Sequence, residues 1–220
     1  MKTSKGLRSR STGILELLSA ALLMASAWVT QAQYSYKTNA DGTITVVGYH
    51  GSGGSLTMPD KIDGLSVSSI GFKAFLECQS VTSITIPECV TSIGELAFEH
   101  CCALTNVTIP NSVTNIGIAA FDSCVNLTSV AMPNSVTRIE MCTFNCTSLT
   151  NVTIPGSVSN IGIYAFNNCT NLTRVYFTGN APSFGSSVFA HTTNAIIYYL
   201  PRTTGWSTNV ASRPTAVWKP

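Results

Sequence analysis

Between Leu104 and Cys124 the chain reads LTNVTIPNSVTNIGIAAFDSC, with apolar side chains at Leu104, Val107, Ile109, Val113, Ile116, Ala120 and Phe121. This spacing fits neither the strict alternation of one long strand nor the 3.6-residue period of one amphipathic helix. It predicts three short pieces: a strand over Asn106 to Ile109, a second extended piece over Val113 to Ile116, and a helical turn around Ala120 and Phe121. Pro110 has no N–H for a ladder and ends the first strand. Gly117 is expected to open the corner into the helical turn.

The same pattern recurs along the chain. Phe75, Phe98, Phe121, Phe144, Phe166 and Phe189 form one column with separations of 23, 23, 23, 22 and 23 residues. Pro87, Pro110, Pro133 and Pro155 keep the same step, as do Ile70, Ile93, Ile116, Ile139 and Ile161, and Val81, Leu104, Leu127, Leu149 and Leu172. A fixed period of this size is the signature of a solenoid. The half-dozen large side chains of one coil cannot offset the ordering of its 22–23 residues, so coils must stack, each continuing its neighbour's apolar columns and leaving two ends to be capped. The expected fold is a right-handed superhelix of short parallel strands with short helical turns, capped at both ends.

Four departures mark one coil as irregular. Met132 stands in an isoleucine column, Glu140 in a glycine column and Thr143 in an alanine column, and one residue is missing between Phe144 and Cys146. Before the repeats, residues 33–64 read as an N-terminal cap. Tyr34 to Val47 alternates around an Asn39-Ala40-Asp41-Gly42 turn, as a β-hairpin does. Gly51 to Ser55 is a connector, and Leu56-Thr57-Met58-Pro59 is a degenerate first repeat. Five extra residues before Pro87 predict a bulge over Asp60 to Leu65. The solenoid proper spans 65–200, and 201–220 with Trp206 and Trp218 forms a C-terminal cap.

With its columns assembled, the repeat L-x-x-V-x-I-P-x-x-V-x-x-I-G-x-x-A-F-x-x-C over about residues 65–200 resembles the BspA-like subfamily of bacterial leucine-rich repeat proteins. The resemblance implies a curved parallel-sheet solenoid used for extracellular recognition.

Residues 1–32 carry Lys2, Lys5, Arg8 and Arg10 ahead of an apolar run from Ile14 to Val29, then small residues before Gln33. This is the pattern of an export signal cleaved after Ala32. Glu16 and Ser19 leave the run too short for a membrane-spanning helix. The expected location is therefore secreted or at the cell surface, with no membrane span after cleavage. The formal charge of +2 belongs to this segment. Residues 33–122 hold 3 basic and 8 acidic side chains, a net of −5, whereas 123–220 hold 5 basic and 1 acidic, a net of +4. Such a mixture does not suggest nucleic-acid binding, but its uneven distribution predicts head-to-tail self-association.

The chemistry of catalysis is missing from the pattern. His50, His100 and His191 fall in different coils or caps, no G-x-S-x-G elbow or P-loop occurs, and Cys101-Cys102 is not the spacing of a zinc site. We expect no enzyme activity, cofactor or metal. Cys78, Cys101, Cys124, Cys146 and Cys169 recur at one position and are expected to form a reduced, core-facing ladder, outside which lie Cys89, Cys102 and Cys142. Six Asn-x-Thr sequons arise from the repeat itself.

Two surfaces remain for a partner. The positions between Gly and Ala-Phe predict an apolar stripe of Phe72, Leu96, Ile118, Met141, Ile163 and Tyr164, with packing beneath adjoining turns as the alternative. The outward strand positions Ser83, Thr85, Asn106, Thr108, Ser129, Asn151, Thr153, Arg174 and Tyr176 form a flat polar face interrupted by Ala131. The expected function is a non-catalytic adhesion or recognition module for an extracellular protein or glycan. A self-assembling envelope or matrix subunit is the alternative.

Overall fold

The structure, a computed structural model, describes residues 33–219. The expected export signal lies outside the described residues.

The chain winds as a parallel β-solenoid whose coils have three sides. The first side is a row of strands: Gly54–Thr57, Val81–Thr85, Asn106–Thr108 and Ser129–Ala131, then Asn151–Ile154, Arg174–Phe177, Ile196–Tyr199 and Arg213–Val217. A second row holds Ile44–Tyr49, Leu65–Ile70, Ser92–Ile93 and Asn115–Ile116, then Arg138–Ile139, Asn160–Ile161 and Ser183–Phe184. Except at one break in each row, successive strands pair in parallel, in a register that keeps the repeat columns aligned: Ile84 lies beside Val107, and Val107 beside Val130.

Three β-turns close a regular coil, and each has a sequence cause. The carbonyl of Pro110 accepts the N–H of Val113 at 3.1 Å and joins the first row to the second. Gly117 O accepts the Ala120 N–H at 3.3 Å, and Cys101 O accepts the Leu104 N–H at 3.0 Å to return the chain to the first row. Pro-x-x-Val, Gly-x-x-Ala and Cys-x-x-Leu are thus corner signatures as well as column markers.

The third side differs from expectation, because no helix forms among the described residues. The segment from Gly to Cys is instead a run of β-turns with left-handed backbone at two fixed points, such as Leu96 (φ 58°) and His100 (φ 57°), or Ala119 (φ 52°) and Ser123 (φ 57°). Left-handed backbone is unfavourable for a residue with a side chain and persists where its surroundings over-determine it. Here the next coil does so. Leu96, Phe98 and His100 donate their N–H groups to Ile118 O, Ala120 O and Asp122 O at 3.0, 2.8 and 2.9 Å. A helix would have spent those donors within its own coil.

The glycine after each core isoleucine also has another role than the expected one. Gly94, Gly117, Gly162 and Gly185 do not have left-handed φ values, but a Cβ on Gly117 would lie 2.6 Å from the Glu95 backbone nitrogen, and one on Gly162 would lie 2.6 Å from that of Met141. Close stacking of coils demands the glycine.

Inside, the six phenylalanines stack face to face with centroids 4.8–5.6 Å apart and all are buried. Tyr49 extends this stack at the N-terminal end, 5.2 Å from Phe75. It belongs to an antiparallel hairpin of Tyr34–Thr38 and Ile44–Tyr49 whose second strand is already the first rung of the second row. The five extra residues before the first full repeat fold into a small hairpin, Lys61–Ile62 against Leu65–Ser66, turning at Asp63 and Gly64, both of positive φ. At the far end Arg213–Val217 adds a last parallel rung, and Trp206 stacks on Tyr199 at 5.1 Å and packs on Phe177 at 4.9 Å.

The irregular coil interrupts both strand rows. Ser129–Ala131 and Asn151–Ile154 belong to different sheets, as do Asn115–Ile116 and Arg138–Ile139. Glu140 accounts for the second break, because it carries a Cβ where the other coils tolerate none. The first break follows from a deletion displaced from its expected site. The left-handed position held by Ser123 is taken by Cys146 (φ 55°), and the buried position of Cys124 by Thr147. The missing residue therefore lies between Thr147 and Leu149, not between Phe144 and Cys146. The corner that reads Cys-x-x-Leu elsewhere is here Thr147-Ser148-Leu149, one residue short of closing its turn. On the third side the coils stay joined, with Ala119, Phe121 and Ser123 donating to Met141 O, Thr143 O and Asn145 O at 2.8, 3.0 and 2.9 Å.

Candidate recognition surface

The turn face presents two side chains per coil. The first of each pair runs Phe72, Glu95, Ile118, Met141, Ile163 and Ser186, and the second, the left-handed one, runs Lys73, Leu96, Ala119, Cys142, Tyr164 and Ser187. Phe72 is 57% exposed, Met141 and Ile163 are each 41% exposed, and Tyr164 is 44% exposed. Leu96 and Ile118 are half-buried. The predicted stripe is therefore divided, with an exposed cluster at Met141, Ile163 and Tyr164 and an isolated Phe72 separated from it by Glu95.

Among the described residues Phe72 is the most exposed large apolar side chain, and its ring lies 5.1 Å from Lys73 Nζ. A cation over a ring face contributes little in water and more when a partner excludes it. Between this ring and the N-terminal hairpin lies a recess of about 590 Å³, lined by Lys37, Asn39, Thr45, Val47 and Gly71 among others. Sequence reasoning missed it, because the hairpin's position over the first full turn has no local signature.

The strand face carries the polar positions as expected: Thr85, Asn106, Thr108, Ser129, Asn151, Thr153 and Arg174 are exposed, and Ser83 and Tyr176 half-exposed. Beside it, threonines form a second rank whose hydroxyls donate to the preceding coil: Thr105 to Thr82 O at 2.9 Å, Thr128 to Thr105 O at 3.3 Å, and Thr173 to Thr150 O at 3.1 Å. Threonine here spans coils as well as favouring strand backbone.

The cysteine column is core, with two corrections, at Cys146 and at Cys78, which is half-buried. All eight cysteines are unpaired. Cys101, Cys124 and Cys169 are buried, and their thiols donate to Phe75 O, Phe98 O and Phe144 O at 3.0, 3.1 and 3.1 Å. Burial pushes Cys101 up to about 12, Cys169 up to about 11 and Cys124 well above the usual 9.0. Cys146, expected among them, stands outside the ladder. Thr147 fills the column and lies 3.3 Å from Cys169 Sγ. A second polar row passes through the irregular coil, where Asn145 donates to Asp122 at 2.8 Å and Asn167 to Asn145 at 2.8 Å.

The three histidines lie in separate parts of the stack. His50 bonds Ser35 at 2.9 Å in the N-terminal cap, His100 and His191 occupy left-handed corners, and no group of three or more His, Cys, Asp or Glu residues among the described residues could hold a metal ion. No described helix is long and apolar enough to cross a membrane.

Comparison with known proteins places the repeat. No curated protein matches the chain. Among solved structures it is similar to the leucine-rich repeat protein of T. pallidum, at 27% identity over 83% of this chain and 89% of that one, with a TM-score of 0.65. A leucine-rich repeat protein from Bacteroides capillosus is 28% identical over 67% of this chain and 95% of that one, with a TM-score of 0.47. A leucine-rich cell surface protein from Faecalibacterium prausnitzii is 23% identical over 76% and 69%, with a TM-score of 0.45. Six copies of the BspA-type leucine-rich repeat match residues 68–196, the span over which the corner signatures and the phenylalanine column recur. The chain therefore belongs to the BspA-type leucine-rich repeat family, as a repeat module built on stacked coils.

Proposed function

We propose that the protein is an exported, non-catalytic recognition module that binds an extracellular protein through its turn face. The observation that carries this reading is the exposure of Met141, Ile163 and Tyr164 side by side on a backbone fixed by bonds between coils. A clustered apolar patch on a rigid scaffold is the usual mark of an interaction site, and little ordering entropy would be lost there on binding. The basic and apolar N-terminal segment supports export to the cell surface or medium.

The test pairs capture with stability. Met141→Lys together with Ile163→Lys should abolish cross-linked capture of extracellular proteins by the immobilised chain while leaving the melting temperature nearly unchanged, because both side chains already meet water. Capture that survives both charges would reject the turn face as the contact.

One observation favours the structural reading, a self-assembling envelope or matrix subunit. The acidic N-terminal half and the basic C-terminal half would attract head to tail. Light scattering should then show oligomers at low salt that dissociate as the screening length falls to about 8 Å near physiological ionic strength. A monomer at every salt concentration would refute it.

A further inference from the structure

The interrupted coil opens a cleft of about 300 Å³ on the strand face, between Ser129–Ala131 and Asn151–Ile154. Its walls include Ser129, Ala131, Met132, Asn134, Asn151 and Thr153. No side chain lining it is ionisable at neutral pH. Where a complete strand row would consume backbone groups in a ladder, this one leaves edges unpaired beside amides and hydroxyls.

The next coils set an aromatic wall against this floor. Thr153 pairs in register with Tyr176, and Tyr176 with Tyr198. The two rings stack at 5.3 Å, and Trp218 packs on Tyr176 at 4.9 Å. The outward surface thus rises from the small side chains of Ala131 and Thr153 to a three-ring cluster within one coil. Exposed Arg174, in register with Asn151, adds donors at the rim.

From this juxtaposition we propose that the cleft and the Tyr176 wall form a binding site for an uncharged polysaccharide, with one pyranose ring seated over Ala131 and Thr153 against the tyrosine. The chemistry on each side matches a sugar: an apolar ring face packs on an aromatic surface, and its hydroxyls meet amides, hydroxyls and free backbone groups. A charged ligand would find no counter-charge on the floor and would be desolvated at a loss. A peptide strand would not fit, since the Thr150 N–H still reaches Thr128 O at 3.4 Å and the gap cannot admit another backbone. Successive coils lie about 4.8 Å apart, close to the length of one pyranose unit, so a chain lying along the axis meets each coil in similar register. The site is on a different face from the apolar turn stripe and does not depend on its role.

Calorimetric titration of the whole chain with cellohexaose, laminarihexaose, maltohexaose and chitohexaose tests the proposal, with an uncharged Ser-Gly peptide as competitor. At least one sugar should bind saturably, and Tyr176→Ala and Ala131→Tyr should each weaken it by about tenfold or more. Ala131 is exposed, so the added ring fills the cleft without entering the core, and this variant decides the matter if the Tyr176 variant fails to fold. Saturable binding by none of the sugars, affinity unchanged in Ala131→Tyr, or displacement of the sugar by the peptide would overturn it.

Discussion

Single residues decide where this stack is regular and where it is not. The cysteine column shows how: a threonine hydroxyl can replace the buried thiol that donates to the coil before it, as Thr192 does to Phe166 O, while Thr147 fills the same column and donates to Phe144 O of its own coil. Counting cysteines in the sequence put Cys146 in the ladder, because one missing residue brings it near the right spacing. The left-handed corner then fixes the alignment one position later. Native-state alkylation should therefore label Cys146 and spare Cys101, Cys124 and Cys169, whose ionisation burial opposes. Labelling of those three in the folded chain would contradict the assignment. The same thiols make stability depend on alkaline pH. Their folded values lie above the ordinary 9.0, so the unfolded chain loses its protons first. Their contribution is complete below about pH 9 and is lost as the pH rises through about 11 for Cys169 and about 12 for Cys101. Denaturant midpoints should fall over that window, with Tyr34, also raised by burial, adding to the slope. A midpoint constant from pH 8 to 11 would place the thiols in water.

At the scale of elements, the strands, corners and core columns were legible because each has a period-locked cause: proline ends a strand, glycine marks a close approach, and an inward apolar residue marks a column. The third side was not legible. Gly-x-x-Ala-Phe-x-x-Cys has the i, i+3 spacing of a helical turn, and its left-handed positions carry Lys73, Leu96, Cys142 and Tyr164 where glycine or asparagine would have announced them. The stabilising partners are carbonyls of the next coil, 21 or 22 residues away, which no local pattern reveals. The exposed cluster at Met141, Ile163 and Tyr164 was legible as a set of apolar positions, but the division of the stripe depended on the half-burial of Leu96 and Ile118 in the assembled stack. The polysaccharide cleft was invisible, since it arises from a broken pairing. The C-terminal element carries its own prediction. Deleting Trp206 to Pro220 removes both the last rung beside Ile196–Tyr199 and the indole stacked on Tyr199, exposing apolar columns at an open sheet edge. The truncated chain should aggregate on expression. A soluble, equally heat-resistant product would show that these residues do not close the stack.

Across the whole molecule the coils form a one-dimensional array in which each coil contacts only its neighbours. Such an array is as cooperative as its weakest junction. Here that junction lies between the coils of Phe121 and Phe144, where both strand rows part and the turn face alone keeps a complete set of backbone bonds. Side chains assist: Ser135 donates to Val113 O, and Ser148 to Val125 O at 2.6 Å. The turn face is accordingly both the surface we assign to recognition and the seam that joins the two halves of the stack. Its rigidity should be measurable apart from any ligand. Residue-resolved amide hydrogen exchange of the free chain is the most direct test. We predict that the Ala119, Phe121 and Ser123 amides are protected as strongly as their equivalents Leu96, Phe98 and His100, while Glu140 and Asn151, at the two broken rows, exchange markedly faster than Gly117 and Asn106. Exchange at Ala119, Phe121 and Ser123 as fast as in exposed loops would contradict the account, because the turn face would then be a set of independent loops and not a hydrogen-bonded third side.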